Sequence, residues 1–392
     1  MKYLFVLGSN PALSLAELAT VFDPSKIVLI NNDLVLLDIP EIEPKEVIKN
    51  LGGIIKIAKL EDILSDHSQI KEKALELIKK KNPTKQGKTR FGLSPYGKGF
   101  KNINKLGLGI KKALKEENIN SRLVTSQEKN LSSVVAETNR LTSSGIEILL
   151  TKHQNKILLG KTLAVQDFKE LSFRDYSRPA RDSHSGMLPP KLSQIMINMA
   201  NSKKKTESKV ILDPFCGSGT ILTEASLMGY KNLIGSDSSD KAIRDSQENL
   251  EWVMNKYGLK GVNYRLENIK VSELTKVLKK ESVDMVVTEP YLGPQRGSIK
   301  VEKVVKELEE LYSEALKQFS KILKKEGRVV MIWPVFQNGT KTINPDTADL
   351  KITPLLHTNL KLNQGLDLTD RNTIIYFRKG QRVWREIVAL EK

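Results

Sequence analysis

The chain has 392 residues, room for roughly two to four domains, and its 39% hydrophobic content is enough for ordinary packed cores. The formal net charge of +17 points to a polyanionic partner, because such a surplus attracts phosphates. One cysteine, Cys216, excludes an internal disulfide, and the scattered His67, His153, His184 and His357 exclude a zinc cluster of ordinary spacing.

The opening residues read as a strand, Tyr3 to Leu7, followed by the turn Gly8-Ser9-Asn10-Pro11. They lack a leader-like pattern, and no run of about 18 apolar residues occurs anywhere, so a soluble cytoplasmic chain is expected. Ser14 as N-cap, with Glu17 three places on, predicts a helix to Val21. Strands follow at Ile27 to Ile30 and Leu34 to Ile39, then a helix at Pro44 to Asn50 and a strand at Ile54 to Lys59. Over residues 1–60 this is the order of a ferredoxin-like unit.

Residues 61–165 read as a basic α+β module. It has a helix at Ile70 to Lys81, a strand at Arg90 to Ser94, a helix at Leu106 to Glu116, and a late hairpin, Ile146 to Thr151 with Lys156 to Ala164. Lys85, Lys88, Arg90, Lys98 and Lys101 lie in its crowded basic tracts. Each alone is a solvated cation; together they describe a phosphate-binding surface. Residues 166–185 read as a polar ordered linker, whose Arg178 and Arg181 either touch RNA or pair with acids such as Asp175 and Asp182.

From residue 186 onward strands and helices alternate. Pro190 opens a helix with Leu192, Ile195, Met196 and Met199 at helical spacing. Buried strands are expected at Val210 to Leu212, Leu233 to Ser236, Val262 to Leu266, Val283 to Val287 and Arg328 to Trp333, with helices between them. This predicts a Rossmann-like, doubly wound parallel sheet. Thr373 to Phe377 and Arg382 to Ala389 close the chain as an antiparallel hairpin at one sheet edge.

The tract Asp213-Pro214-Phe215-Cys216-Gly217-Ser218-Gly219-Thr220 sits between a strand and a helix. Its glycines let the backbone approach a ligand, and Asp213 can accept from a cationic amine. Asp237 ends the next strand, the place for an acid that binds ribose hydroxyls. Leu222 stands where a dinucleotide fingerprint needs a third glycine, and there is no Gly-Lys-Ser/Thr loop. An acid before the glycines suits S-adenosylmethionine, which carries an amino-acid moiety and an adenosine. After the fourth strand, Glu289, Pro290 and Tyr291 form a second candidate cluster, able to hold an extruded base and accept from its exocyclic amine. Cys216 reads as a small packing residue of the loop.

The tracts DPFCGSGTILTEA (213–225), GSDSSDKAI (235–243) and TEPYLG (288–293) resemble the amino-methyltransferases of the tRNA guanine-N2 class, in particular the enzymes that modify guanosine 10. Residues 3–18 resemble their ferredoxin-like start, and the segment from Lys88 to Lys161 resembles a THUMP domain. The resemblance implies cofactor binding by Asp213, Pro214, Phe215, Cys216, Gly217, Ser218, Gly219 and Thr220, by Asp237 with Ser238, and by Pro190 at the start of the preceding helix. Glu267 and Asn268 fall where the adenine would be met. That family usually reads Asp-Pro-Pro-Tyr-Gly at the target motif; here Glu289 stands for the aspartate, and Tyr291 comes one place early.

The sequence therefore predicts a ferredoxin-like domain (1–60), a THUMP domain (61–165), a linker (166–185) and an S-adenosylmethionine-dependent methyltransferase domain (186–392). The expected activity is methylation of an exocyclic guanine amine in tRNA, at position 10, by a monomeric chain, with room for a small activator subunit. Two alternatives stand beside it: a DNA adenine or cytosine amino-methyltransferase, and a catalytically degenerate tRNA-binding protein.

Overall fold

The computed structural model describes residues 1–81, 87–181, 187–201, 207–294, 300–336, 339–356, 368–378 and 380–392. The chain divides into two compact units, residues 1–11 with 23–170 and residues 12–22 with 171–392. Among the described residues no helix is long and apolar enough to cross a membrane.

The first unit contains β1 (Lys2–Leu7), and α1 (Pro11–Val21) follows it but belongs almost wholly to the second unit. Then come β2 (Ile27–Asn31), β3 (Leu34–Asp38), α2 (Pro44–Lys49), β4 (Ile54–Leu64), α3 (Gln69–Lys81), β5 (Thr89–Tyr96), α4 (Ile103–Glu116), β6 (Ser121–Val124), α5 (Ser133–Thr138), β7 (Ile146–His153) and β8 (Lys156–Val165). The eight strands form one mixed sheet in the order β2-β3-β1-β4-β8-β7-β5-β6. Only the β5 pairings with β6 and β7 are parallel. The sheet runs through the boundary expected at residue 60: β4 continues to Leu64, with β1 on one side and β8 on the other. α3 and α4 bury Ile70, Ala74, Ile78, Ile110 and Leu114 against Phe91 and Ile148, and this i, i+4 spacing is why those stretches are helical. Helix α1 starts at Pro11, three residues before the expected cap, so Ser14 lies buried inside it rather than at its end. Proline at the first helical position has no N–H to leave unpaired there.

A charged pair lies inside this unit. The Lys56 Nζ stands 2.5 Å from Glu147 Oε1, and neither side chain is exposed. The Ser94 hydroxyl donates to the same oxygen at 2.5 Å, and Lys56 also donates to the Leu131 carbonyl at 2.5 Å. Leu131 N–H closes the circuit on Ser94 Oγ at 3.1 Å. Desolvating two charges is costly, so the extra hydrogen bonds are what make the burial tolerable.

Helix α6 (Phe168–Tyr176) begins in the first unit and passes into the second at Leu171. The second unit follows with α7 (Pro190–Ala200), β9 (Val210–Asp213), α8 (Thr220–Leu227), β10 (Asn232–Asp237), α9 (Asp240–Tyr257), β11 (Asn263–Asn268), α10 (Leu274–Val277), β12 (Val283–Thr288), α11 (Val301–Ile322), β13 (Leu323–Val335), β14 (Lys351–Thr353), β15 (Ile374–Tyr376) and β16 (Trp384–Glu391). Its sheet has the order β11-β10-β9-β12-β13-β16-β14, with β15 also on β16. β9 to β13 are parallel and β16 is antiparallel to β13. The expected C-terminal hairpin exists, but its second strand is not an edge: β16 lies between β13 and β14. Its residues Ile387 to Leu390 are fully buried for that reason. The expected linker contains a helix, α6, whose Leu171 is buried. The charged loop Lys203-Lys204-Lys205 and His184 lie outside the described residues.

Replacing Lys56 by Met should lower the unfolding free energy of the first unit by about 3–5 kcal/mol, because it strands the Glu147 carboxylate. Adding Glu147→Leu should recover most of the loss. Denaturant titration of both variants checks this; equal losses in the single and the double would contradict it.

Candidate active site

The parallel order reverses between β9 and β12, and ligands bind at the carboxyl ends of strands beside such a reversal. β9 ends on Asp213 and β12 on Thr288. A cavity of about 680 Å³ opens there, within the range of small-molecule sites.

The loop after Asp213 is held from several sides. Gly217 N–H donates to Asp237 Oδ2 at 3.1 Å, and Cys216 N–H donates to the Ser236 carbonyl at 3.0 Å. From α9, the Ser246 hydroxyl donates to the Gly217 carbonyl at 2.8 Å, and Asn249 Nδ2 donates to the Ser218 carbonyl at 2.8 Å. The two glycines differ in purpose. Gly217 has φ +51° and a side chain there would meet open space, so it faces the cavity. Gly219 has φ +80° and a Cβ there would meet Ser246 at 3.0 Å, so it serves the packing of α9 and not the ligand.

Asp213 is fully buried, accepts from the Thr288 hydroxyl at 2.7 Å, and accepts from Phe215 N–H at 3.3 Å. Loss of water pushes its carboxyl up to about 7; the two hydrogen bonds oppose this, while the negative charges of Asp237 and Glu289 add to it. Such a carboxyl needs a cation to ionise comfortably. Asp237 is fixed by Ser239 N–H on Oδ1 at 2.9 Å and by Gly217 N–H on Oδ2. Burial pushes the Cys216 thiol up, so it stays neutral and packs against Ser246, as its place in the loop suggested.

Glu289 also lines the cavity, and its Oε1 accepts from Arg385 Nε on β16 at 2.6 Å. Pro290 lines the cavity beside it, and Tyr291 is 57% exposed at its rim. The Tyr291 carbonyl is fixed by the hydroxyl of buried Tyr312 at 3.1 Å.

The structure gathers most of the expected cofactor residues around one cavity: Asp213, Pro214, Phe215, Cys216, Gly217, Ser218, Thr220, Asp237 and Ser238. Four are not in its wall. Pro190 is buried at the start of α7, and Gly219 turns to α9. Glu267 pairs with Arg265 at 2.5 Å, and Asn268 Nδ2 donates to the Asp237 carbonyl at 3.0 Å. The wall on that side comes instead from Lys270, Val271 and Ser272, in the turn after β11. No turn or period in the sequence marks these three, because the chain reaches the cavity only after leaving the strand. Leu311 and Glu314 of α11 also line the cavity, as do Met187 and Leu188, and nothing in the helical pattern of α11 distinguishes its two from ordinary surface or core positions.

The basic residues separate as well. Lys88, Lys98 and Lys101 are exposed, Arg90 is half-buried on β5, and Lys85 lies outside the described residues. Arg181 is exposed, with its guanidinium 5.4 Å from the Tyr176 ring centre. Arg178 is not available for phosphate: it is buried, donating to Thr220 Oγ1 at 2.6 Å and to the Arg174 carbonyl at 3.0 Å. Nearby Arg174 grips buried Glu224 with two bonds, 2.7 and 3.0 Å, and Gln194 Nε2 adds a third at 3.0 Å. Two arginines of the expected linker, Arg174 and Arg178, thus fasten this segment to α8, the helix that follows the glycine loop. Their sequence signal was ambiguous because a buried acid, Glu224, lies some 50 residues away.

A family model described as an RMKL-like methyltransferase domain matches residues 178–349, and a DNA methylase model matches residues 15–248. The chain is 34% identical over 189 residues to a tRNA (guanine(10)-N2)-dimethyltransferase of Methanocaldococcus jannaschii, covering 45% of this chain and 48% of that one. It is 31% identical over 146 residues to a probable tRNA (guanine(10)-N2)-dimethyltransferase of Methanothermococcus thermolithotrophicus, covering 36% of this chain and 77% of that one. The match thus spans about half the length of the first of these relatives. In fold, the chain is similar to the crystal structure of TrmN from Thermus thermophilus, with a TM-score of 0.53, 16% identity and full coverage of both chains.

Asp213 yields a prediction about stability. Its folded pKa is raised above the unfolded value, so its contribution is full below about pH 4 and is lost as pH rises through about 7. Asp213→Asn keeps an acceptor for Thr288 and removes the charge. In the ligand-free protein it should therefore gain stability over the natural chain between pH 4 and 7, levelling at an order of about 4 kcal/mol above pH 7. Melting curves at pH 5 and pH 8 check this; a difference independent of pH would contradict it.

Proposed function

The chain belongs to the methyltransferase family that includes the tRNA (guanine(10)-N2)-dimethyltransferases, and on that premise we propose that it transfers a methyl group from S-adenosylmethionine to an exocyclic guanine amine in tRNA. The observation that carries the proposal is the meeting of two acids, Asp213 and Glu289, at the ends of adjacent parallel strands around one cavity.

The residues present fit the cofactor. Asp213 is a buried carboxyl in want of a cation, Asp237 is an oriented acceptor at the next strand end, and Gly217 offers bare backbone to the cavity. S-adenosylmethionine, when bound, supplies a methyl group activated by its sulfonium. Asp213 would hold the amino group of the methionine part, and Asp237 the ribose hydroxyls. On the substrate side, Glu289 would accept a hydrogen bond from the guanine amine, fixing the direction of its lone pair and easing loss of a proton. The exposed ring of Tyr291 would stack on the extruded base. No strong base is needed beyond this, because positioning supplies much of the rate.

We further read residues 1–60 as ferredoxin-like and 61–165 as a THUMP domain that grips tRNA through Lys88, Lys98 and Lys101, all of them exposed. The net charge of +17 supports an RNA partner. The match to a DNA methylase model favours a second reading, transfer to an amino group of a DNA base, which would use the same acids.

Incubation with labelled donor and either tRNA or duplex DNA, followed by nucleoside mass spectrometry, separates the two. N2-methylated guanosine from tRNA alone is expected; label in DNA would support the second reading, and label in neither would contradict both. A further prediction concerns the donor. If its amino group pairs with the Asp213 carboxylate, its affinity should be steady above about pH 7 and weaken below, approaching tenfold per pH unit, because a proton must leave Asp213 first. Calorimetry between pH 6 and 8.5 measures this, and a flat profile would remove Asp213 from that role.

A further inference from the structure

Glu289 is one methylene longer than the aspartate its motif resembles, and the structure offers a use for that length. Its Oε1 lies 2.6 Å from Arg385 Nε, and the two side chains are only 13% and 9% exposed. Arg385 stands on β16, opposite Pro334 of β13 and Tyr376 of β15, so its backbone is held from both sides by antiparallel pairing. The Arg385 side chain leaves this paired strand with only 9% exposure, so its guanidinium has little room to move, and a charge-assisted bond to it restricts the carboxylate. An aspartate at 289 would withdraw its carboxylate by about 1.5 Å, one carbon–carbon bond, and could not keep a bond of this length.

The charges around the cavity give the contact a second reason. Asp213 and Glu289 are close enough for the charge of one to penalise the other. Asp213 is offset by the Thr288 hydroxyl and Phe215 N–H, and Glu289 by Arg385. The Tyr312 hydroxyl also feels Glu289, and its hydrogen goes to the Tyr291 carbonyl.

We propose that Arg385 is a positioning residue for methyl transfer: it grips one oxygen of Glu289 so that the rest of the carboxylate stays aimed at the target amine. Arg385 acts only through Glu289. The inference rests on the methyltransferase reading above.

The chain of 392 residues, tRNA and labelled donor suffice for the test, with kcat, the KM for tRNA, donor affinity by calorimetry and melting temperature read for each variant. Arg385→Met should lower kcat by about 10²-fold, the cost of roughly an ångström of misplacement, with the KM and donor affinity within about threefold of the natural chain. Arg385→Lys, which keeps a cation near Glu289, should recover at least about tenfold of that loss. A kcat for Arg385→Met within about threefold of the natural chain overturns the proposal, as does Arg385→Lys performing no better than Arg385→Met. If Arg385→Met does not fold, because it strands a half-buried carboxylate, the neutral pair Glu289→Gln with Arg385→Met decides. Its kcat should equal that of Glu289→Gln alone within about threefold, and a further drop of about tenfold overturns the proposal, since Arg385 would then act independently. A natural chain that methylates no RNA overturns the parent reading and this one with it; an active natural chain indifferent to Arg385→Met overturns this one alone.

Discussion

The Thr288 hydroxyl donates to the Asp213 carboxylate across 2.7 Å, from the last residue of β12 to the last residue of β9. These are the two strands between which the parallel order turns back, so the bond ties together the two sides of the crevice. Nearly everything at the site is placed relative to that tie. The glycine loop departs from Asp213, and the cluster Glu289-Pro290-Tyr291 departs from Thr288. The hydroxyl thus adds a side-chain tie, at the cavity end, to the parallel pairing that already sets the spacing of the two strands.

The tie also restrains a charge problem. Three of the acids that line the cavity, Asp213, Asp237 and Glu289, stand at strand ends or just past one, and Asp213 feels both of the others. Each is answered by a different element: Asp213 by Thr288, Asp237 by the backbone of the glycine loop and of Ser239, and Glu289 by Arg385 from the antiparallel strand. Acids that are individually fixed keep their directions when a cationic ligand arrives, and preorganisation of this kind is what makes electrostatic recognition effective. The arrangement couples fold to chemistry, because β16 is both the strand that extends the sheet and the carrier of the group that restrains Glu289.

The segment from Leu171 to Arg181, at the start of the second unit's main stretch, contributes in the same way. Arg174 and Arg178 fasten this segment to Glu224 and to Thr220, the middle and the first residue of the helix that follows the glycine loop. Asn249 binds both carbonyls that flank this join, those of Ala180 and Ser218. A loop held at so many backbone atoms has few alternative conformations to lose when a ligand binds.

The sequence by itself determined what is local. Alternating strands and helices after residue 186, the acid–glycine turn at 213–220 and the acid at 237 were legible because period and turn chemistry act over a few residues. The lining of the cavity by most of the expected residues follows from their sitting at strand ends. Tertiary structure alone decided the long-range partners. Arg385 meets Glu289 across 96 positions, Arg174 meets Glu224 across 50, and Lys56 meets Glu147 across 91. The same is true of the eight-stranded sheet that joins the two expected N-terminal domains, and of β16 lying inside its sheet rather than at the edge. A charged residue carries no mark of its partner in its own neighbourhood. Only the folded chain, where desolvation makes an unpaired charge costly, shows which arginines already pair with a carboxylate.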